Sequence, residues 1–358
     1  MNFSPTSVFS PGTQLYKYNL LNCIGQGSFG QVWHAVDSAL NREYAIKILK
    51  PGLTIDQRLR EGRIGHSLAH NNLVKIHQAD IVQNQTEDLV ILAMDYLPNG
   101  SAERLANPAG FLPLPDVLRI GRDILQGLDY LHANCFFHND IKPGNILLGP
   151  NRQGILSDYG ITAVSANGGP VVAPGAYLLH RAPEVIQNGN VAVSTDIFQV
   201  GMTLFRLLVG LSTLSAKRDA MGSTAYDTAC LNGTLISKSD FPNHIPASVR
   251  RVILKATHPD PAKRFRSSLD MRRQLEGLNF RGFWSIDSIG QEYGQCNQYR
   301  YIYSVTHDQA GLNSVSCRRT NLKSGRSQRI LQFCKTGLSD KQARQKISEF
   351  KVHVVEGK

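Results

Sequence analysis

Within Phe137-His138-Asn139-Asp140-Ile141-Lys142-Pro143-Gly144-Asn145, an acid, a cation and an amide fall within six residues, and the apolar Ile146-Leu147-Leu148 follows at once. Thirteen residues after Asn145 stands a second acid, Asp158, in Ser157-Asp158-Tyr159-Gly160. These types together fit phosphoryl transfer. That chemistry needs a carboxylate to orient a hydroxyl nucleophile and accept its proton, and a lysine near the moving phosphoryl group. It also needs an amide and a second carboxylate to hold a divalent metal against the triphosphate. Asp140 then reads as the base, Lys142 as the cation, and Asn145 and Asp158 as metal ligands. A loop over 138–145 between a helix and a strand, with Asp158 just past a second strand, would bring all four to one point.

Other elements must hold a triphosphate against these groups. Tyr18-Asn19-Leu20-Leu21-Asn22-Cys23-Ile24 reads as a strand and runs into Gly25-Gln26-Gly27-Ser28-Phe29-Gly30-Gln31-Val32. A G-x-G-x-x-G that opens a helix, with an acid about twenty residues on, marks a dinucleotide-binding fold. Here Val32-Trp33-His34-Ala35-Val36 alternates like a second strand, so the glycines sit at a hairpin tip and make a flap whose backbone can close over phosphates. Tyr44-Ala45-Ile46-Lys47 is a further strand, whose lysine, read alone, is a solvated edge charge. Asp56 to Leu68 reads as a helix carrying Glu61, which alone is a surface acid. The run Leu89-Val90-Ile91-Leu92-Ala93-Met94 has the length of a buried strand, broken by Asp95-Tyr96-Leu97-Pro98-Asn99-Gly100. Asp116 to His132 reads as a helix, with Val117, Gly121, Ile124, Leu125, Leu128 and Leu131 on one core-facing stripe.

In order, these segments resemble the motifs of eukaryotic-type (Hanks-type) Ser/Thr protein kinases. The Gly flap, strand Lys47, helix Glu61, the loop with Asp140, Asp158-Tyr159-Gly160, Ala182-Pro183-Glu184 and Arg264 in Asp260-Pro261-Ala262-Lys263-Arg264-Phe265 follow one another within residues 16–275. His70-Asn71-Asn72-Leu73-Val74 and Ser194-Thr195-Asp196-Ile197-Phe198-Gln199-Val200-Gly201 fit the same order. The resemblance implies an α+β, bilobal fold with a small β-rich lobe over 15–97, a larger helical lobe over 98–280, and ATP in the cleft. It implies that Lys47 is tied by Glu61 and meets the α- and β-phosphates. Gly25, Gln26, Gly27, Gly30, Val32, Ala45, Lys47, Met94, Asp95 and Leu97 are the implied ATP contacts, with Met94 as gatekeeper and the 95–97 backbone on adenine. The implied cofactors are ATP and Mg²⁺ (or Mn²⁺), and Glu184 and Arg264 are implied to form a buried ion pair.

The pattern is broken in places. Asn139 replaces the arginine that usually precedes the base, and that arginine is the charge which activation-segment phosphorylation commonly quenches. Activity without such phosphorylation is therefore expected, and 161–180 holds only Thr162, Ser165 and Tyr177 as acceptors. Tyr159 replaces phenylalanine and adds a hydroxyl that needs a partner. The family's threonine ahead of A-P-E is missing, with Gly175-Ala176-Tyr177-Leu178-Leu179-His180 in its region, so peptide-substrate geometry is in question. Ser101 stands where an acid often meets the ribose. Lys142 is of the Ser/Thr rather than the tyrosine type, and His138 reads as structural, beneath Asp158.

With 358 residues, 42% hydrophobic and 19% charged, the chain has room for such a domain and a small extra module. The formal charge is +11, and residues 281–358 hold 13 Lys and Arg against 6 Asp and Glu. Six cysteines show no C-x-x-C spacing, which argues against a zinc site or a disulfide framework. The N-terminus lacks a basic n-region and a myristoylation glycine, and the most apolar window, Ile197 to Leu211, is too short to span a bilayer. No membrane partner and a cytoplasmic location are expected.

Residues 1–14 read as a flexible lead-in. Residues 281–358 read as a basic α+β accessory module: strands over Tyr299–Val305, Ser314–Arg319 and Arg329–Cys334, a helix over Asp340–Phe350 capped by Ser339, and a last strand over 352–355. Its tyrosine stripe is read as a core face and its cations as solvated; docking of a partner or substrate is the next option, and nucleic acid is the less favoured ligand. For the whole chain, the leading function is transfer of the ATP γ-phosphate to Ser/Thr hydroxyls of protein substrates. A pseudokinase scaffold that binds nucleotide and a partner is the main alternative, with a small-molecule phosphotransferase behind it.

Overall fold

A computed structural model of the chain describes residues 9–27, 30–50, 54–83, 88–106, 110–287 and 289–357. Ser28 and Phe29 of the glycine hairpin, and residues 1–8 of the expected lead-in, lie outside the described residues.

Alternation in the first hundred residues builds one antiparallel sheet. Its strands are β1 (Gln14–Leu15), β2 (Tyr18–Gly27), β3 (Gly30–Asp37), β4 (Arg42–Leu49), β5 (Ile76–Val82) and β6 (Leu89–Asp95), in the order β1-β2-β3-β4-β6-β5. Residues 9–14 are not the loose lead-in expected. Gly12 N–H donates to the Leu20 carbonyl and Leu20 N–H to that of Thr13, because β1 needs a turn to fold back on β2. Helix α1 (Ile55–Ser67) begins at a Thr54 capping box and packs on β5. Glycine permits the close fit: a Cβ at Gly65 would lie 2.4 Å from Ile76 Cδ1 and 2.9 Å from Tyr159 Cδ2.

The large lobe is helical. After α2 (Ala102–Ala106) comes α3 (Leu114–Ala133), whose stripe of Val117, Ile124, Leu125, Leu128 and Leu131 is fully buried. Short pairs follow: β7 (Phe136–Phe137) with β10 (Ala163–Val164), β8 (Ile146–Leu148) with β9 (Gly154–Leu156), and β11 (Val171–Val172) with β12 (Asn190–Val191). Helices α4 (Pro183–Asn188), α5 (Val193–Val209), α6 (Thr213–Met221), α7 (Ser223–Leu231), α8 (Ala247–Ala256) and α9 (Ser268–Glu276) complete the lobe. No single helix among the described residues is long and apolar enough to cross a membrane.

Residues 282–356 form a second antiparallel sheet and a covering helix. The strands β13 (Gly282–Ile286), β14 (Glu292–Cys296), β15 (Tyr299–His307), β16 (Asn313–Asn321) and β17 (Ser327–Arg329) run in that order, and β18 (Lys335–Leu338) also pairs with β16. The strand expected over Arg329–Cys334 is split. β17 and β18 share one edge of β16, and a 3₁₀ turn over Leu331–Phe333 carries the chain between them. The strand expected over 352–355 is instead the last turn of α10 (Asp340–Glu356), which keeps Val354 and Val355 buried against the sheet. The tyrosine stripe faces this helix: Tyr301 is buried, 6.2 Å from the Phe350 ring, and Tyr303 lies edge-on to Trp284.

The module rests on the large lobe. Phe111, Leu112, Leu208 and Ile245 meet Phe283, Trp284 and Val355 across a cavity of about 10 Å³. Beside it, a groove of about 450 Å³ is lined by Phe111, Pro242 and His244 on one side and Glu292, Tyr303 and Lys351 on the other.

Candidate active site

The loop that carries Asp140 is held from behind by one face of α5. Asp196 Oδ1 accepts from Asn139 N–H (2.8 Å), and its Oδ2 accepts from His138 N–H (2.9 Å) and faces His132 Nε2 (2.8 Å). Gln199 accepts from Ile141 N–H and donates to the Asn139 carbonyl, and Thr203 donates to the Ile141 carbonyl. All three side chains are buried, and with Arg206 they recur at helical spacing on α5. Buried backbone groups must find partners, and this helix face supplies them where a loop cannot supply its own.

Asp140, itself buried, faces Lys142 Nζ at 3.0 and 2.8 Å, while Asn145 Nδ2 donates to its Oδ2 (2.8 Å) and to its carbonyl (2.9 Å). Across the cleft, Lys47 Nζ lies 2.7 and 2.9 Å from the Glu61 carboxylate and 2.8 Å from Asp158 Oδ1. Burial alone would lower the Lys47 pKa, but the facing Glu61 and Asp158 charges outweigh it and hold it above the ordinary lysine value. Burial would raise Asp158 in turn, yet Lys47 and then Lys142 keep it below the ordinary carboxylate range. Lys47 is therefore a fixed cation and Asp158 a fixed anion.

The strand registers place the residues expected to meet ATP. Gly25 pairs with Val32, Val32 with Lys47, and Ala45 with Met94. With a side-chain period of two, Gly25, Val32, Ala45, Lys47 and Met94 share one face of the sheet. Gly27 and Gly30 close the β2–β3 pair, and Gly30 has φ +146° with its missing Cβ 1.9 Å from the Ile48 carbonyl oxygen, so only glycine fits there. Gln26 pairs with Gln31 on the opposite face, so its backbone, not its side chain, is what can meet a phosphate. The Asp95 side chain likewise turns away, to His77 at 2.7 Å, while its backbone N–H donates to the Lys75 carbonyl.

Asn145 commits its nitrogen to Asp140, so its oxygen is left for a metal. Asp158 Oδ1 takes Lys47 and the Gly160 N–H, and among the described residues no hydrogen bond falls on Oδ2. Two hard oxygens, completed by phosphates and water, suit Mg²⁺, which seldom takes an all-protein cage.

The protein kinase domain family matches residues 18–273. The chain belongs to the protein kinase family. It is 29% identical over 270 residues to serine/threonine-protein kinase PrkC of Bacillus subtilis, covering 73% of this chain and 40% of that one. It is 31% identical over 271 residues to PknJ of Mycobacterium tuberculosis (72% and 45%), and 30% over 260 residues to PknA of the same species (70% and 58%). Both are likewise serine/threonine-protein kinases by name, and the chain spans 40 to 58% of the length of these curated relatives. The kinase domain here is of that serine/threonine type, and the family match ends at residue 273.

Further features of the kinase domain follow from the geometry. Arg264 meets Glu184 in a bidentate pair (2.8 and 2.8 Å) and also donates to the carbonyls of Ser194, His258 and Pro259. The Tyr159 hydroxyl finds its partner in the Val74 carbonyl, 2.9 Å away. His138 is fully buried, 6.0 Å from the Tyr159 ring, and burial lowers its pKa, so it stays neutral. Asn139, in the left-handed region at φ 64°, turns its amide on the activation segment and donates to Gly175 O (2.8 Å) and Ile161 O (3.3 Å). From α1, Arg60 donates to Thr162 O (2.8 Å).

Several working residues were missed from sequence: Gln199 and Thr203 behind the loop, Arg60 on the activation segment, and His180. The His180 ring donates from Nδ1 to the Ile141 carbonyl (2.7 Å) and accepts at Nε2 from Arg206. Burial first, and then Arg206, push its pKa down to about 3, which fixes the neutral tautomer. The available signal was the row of polar residues at helical spacing inside an otherwise apolar helix.

Proposed function

We propose that this chain is an ATP-dependent serine/threonine protein kinase that does not need phosphorylation of its activation segment. The observation that carries the reading is the Asn139 amide, which bonds the segment near both its ends, at Ile161 and Gly175, without any anion to neutralise. Thr162 and Ser165 are buried, which sets them against being phosphorylation sites. The assembled Lys47, Glu61 and Asp158 favour catalysis over a scaffold role, since the groups are already in contact.

In this reading Asp140 accepts the proton of the acceptor hydroxyl and Lys142 balances charge on the transferring phosphoryl group. Lys47, clamped by Glu61, holds the α- and β-phosphates. Asn145 and Asp158 would hold Mg²⁺, which when bound supplies neutralising charge between the phosphates. The acceptor is a protein hydroxyl, and docking of a partner is the option kept for the basic module beside its plain structural reading.

The test is γ-labelled ATP with a basic protein acceptor, comparing wild type, Asp140→Ala and Asp158→Ala. Label that vanishes in both variants supports the kinase. Loss of label in a Thr162→Val, Ser165→Ala, Tyr177→Phe triple variant would overturn independence from segment phosphorylation. Absence of label from wild type, with ATP still raising Tm, would favour the scaffold.

A further inference from the structure

Lys142 is not held by Asp140 alone. Its ammonium lies 4.6 Å from the centroid of the Tyr177 ring, so it sits between a carboxylate and an aromatic face. The ring comes from the far end of the activation segment, and it is itself fixed. The Tyr177 hydroxyl accepts from Arg206 Nη1 at 3.4 Å, and the His180 ring lies edge-on to it at 5.2 Å and 71°. Arg206 is buried in α5, the helix that holds the catalytic loop, and His180 bonds the Ile141 carbonyl between Asp140 and Lys142.

We infer that Tyr177 is the positioning residue for Lys142: its ring, pinned by Arg206 and His180, keeps the ammonium beside the base before substrate arrives. The inference rests on the kinase reading above and deepens it. An ammonium that leaned only on Asp140 would have a flexible four-carbon stem and a partly open solvent side, since the Lys142 side chain is 24% exposed. A ring face attracts the cation without offering an acceptor that would compete for its protons. The segment thereby acts on the chemistry through an aromatic face and not through a hydroxyl. The same ring flanks a surface pocket of about 470 Å³ lined by Ala176, Leu178, Leu179 and Arg218.

The test compares Tyr177→Phe, which keeps the ring, with Tyr177→Leu, which keeps apolar bulk without it. Leu is expected to lower kcat by about three- to thirty-fold while leaving KM for ATP unchanged, and Phe to stay within about twofold of wild type. The second readout is the rate at which acetic anhydride modifies Lys142, followed by peptide mass spectrometry on the full chain. Lys142 should be protected in wild type and Phe and several-fold more reactive in Leu. A Leu variant with wild-type kcat and wild-type protection overturns the inference, and so does a Phe variant that falls as far as Leu. Because labelling needs no turnover, it decides the inference even if no acceptor is phosphorylated, which would count against the kinase reading instead.

Discussion

Asn139 Nδ2 lies 2.8 Å from the carbonyl oxygen of Gly175, thirty-six positions away, and 3.3 Å from that of Ile161. One uncharged amide therefore closes the activation segment on the catalytic loop. Asn139→Gly keeps the left-handed backbone at no steric cost and removes both bonds. At about 0.5–1.5 kcal/mol each, kcat should fall about five- to a hundredfold with ATP affinity retained. Steady-state kinetics beside ATP-induced thermal shifts would check this.

Lys47 depends on Glu61 more than on Asp158, because Glu61 gives it two contacts and Asp158 one. Glu61→Gln keeps the shape and removes the charge that outweighs Lys47 burial. Its kcat/KM is expected to drop at least about tenfold, with the larger share in KM for ATP, since the ammonium would lean on Asp158 alone. Initial rates over a range of ATP concentrations would show the split.

Removing Arg264 strands the Glu184 carboxylate in the large lobe. Arg264→Leu is expected to cost about 3–5 kcal/mol, which for a domain of this size is a Tm fall of roughly 6–20 °C. The double change Arg264→Leu with Glu184→Leu should recover much of that, because no unpaired charge remains. Calorimetry of the two variants separates the cost of one lone partner from the worth of the pair.

Acid should loosen the seat of the C-terminal module. His244 is pushed down to about 4, by burial first and then by Lys351 from α10, while Glu292 from β14 pulls the other way. Its ordinary value is 6.5, so between pH 6.5 and about 4 the unfolded chain binds the extra proton. Stability is therefore full above pH 6.5, falls as the pH drops toward 4, and levels off below. Urea midpoints at pH 7 and pH 5 should differ in wild type and differ less in His244→Gln.

Legibility in the sequence followed distance along the chain and the directness of the chemistry. Asp140, Lys142 and Asn145 sit within one short loop and meet in space as that spacing implies. Glu61, a surface acid when read alone, was readable only through the family resemblance that ties it to Lys47. The supports were not. Gln199 and Thr203 look like interruptions of an apolar run until the loop they serve is in place, and Tyr177 meets Lys142 only through the long return of the segment. In the module, a run rich in valine reads as a strand, yet packing decides against propensity. Gly282 and Gly294 allow α10 to approach so closely that a Cβ at Gly294 would lie 2.9 Å from Val354 Cγ1. Those glycines also blur the alternation of β13 and β14, which went unread.

A gene trimmed at residue 273, where the family match stops, would be the natural choice for making the kinase domain alone. The seam between lobe and module argues against it. Phe111, Leu112, Leu114, Leu208 and Ile245 would lose Phe283, Trp284 and Val355 as their cover. A bared apolar patch of that kind invites self-association. The tail is thus a passenger that cannot be left behind: a purified fragment would report on its own aggregation before it reported on catalysis.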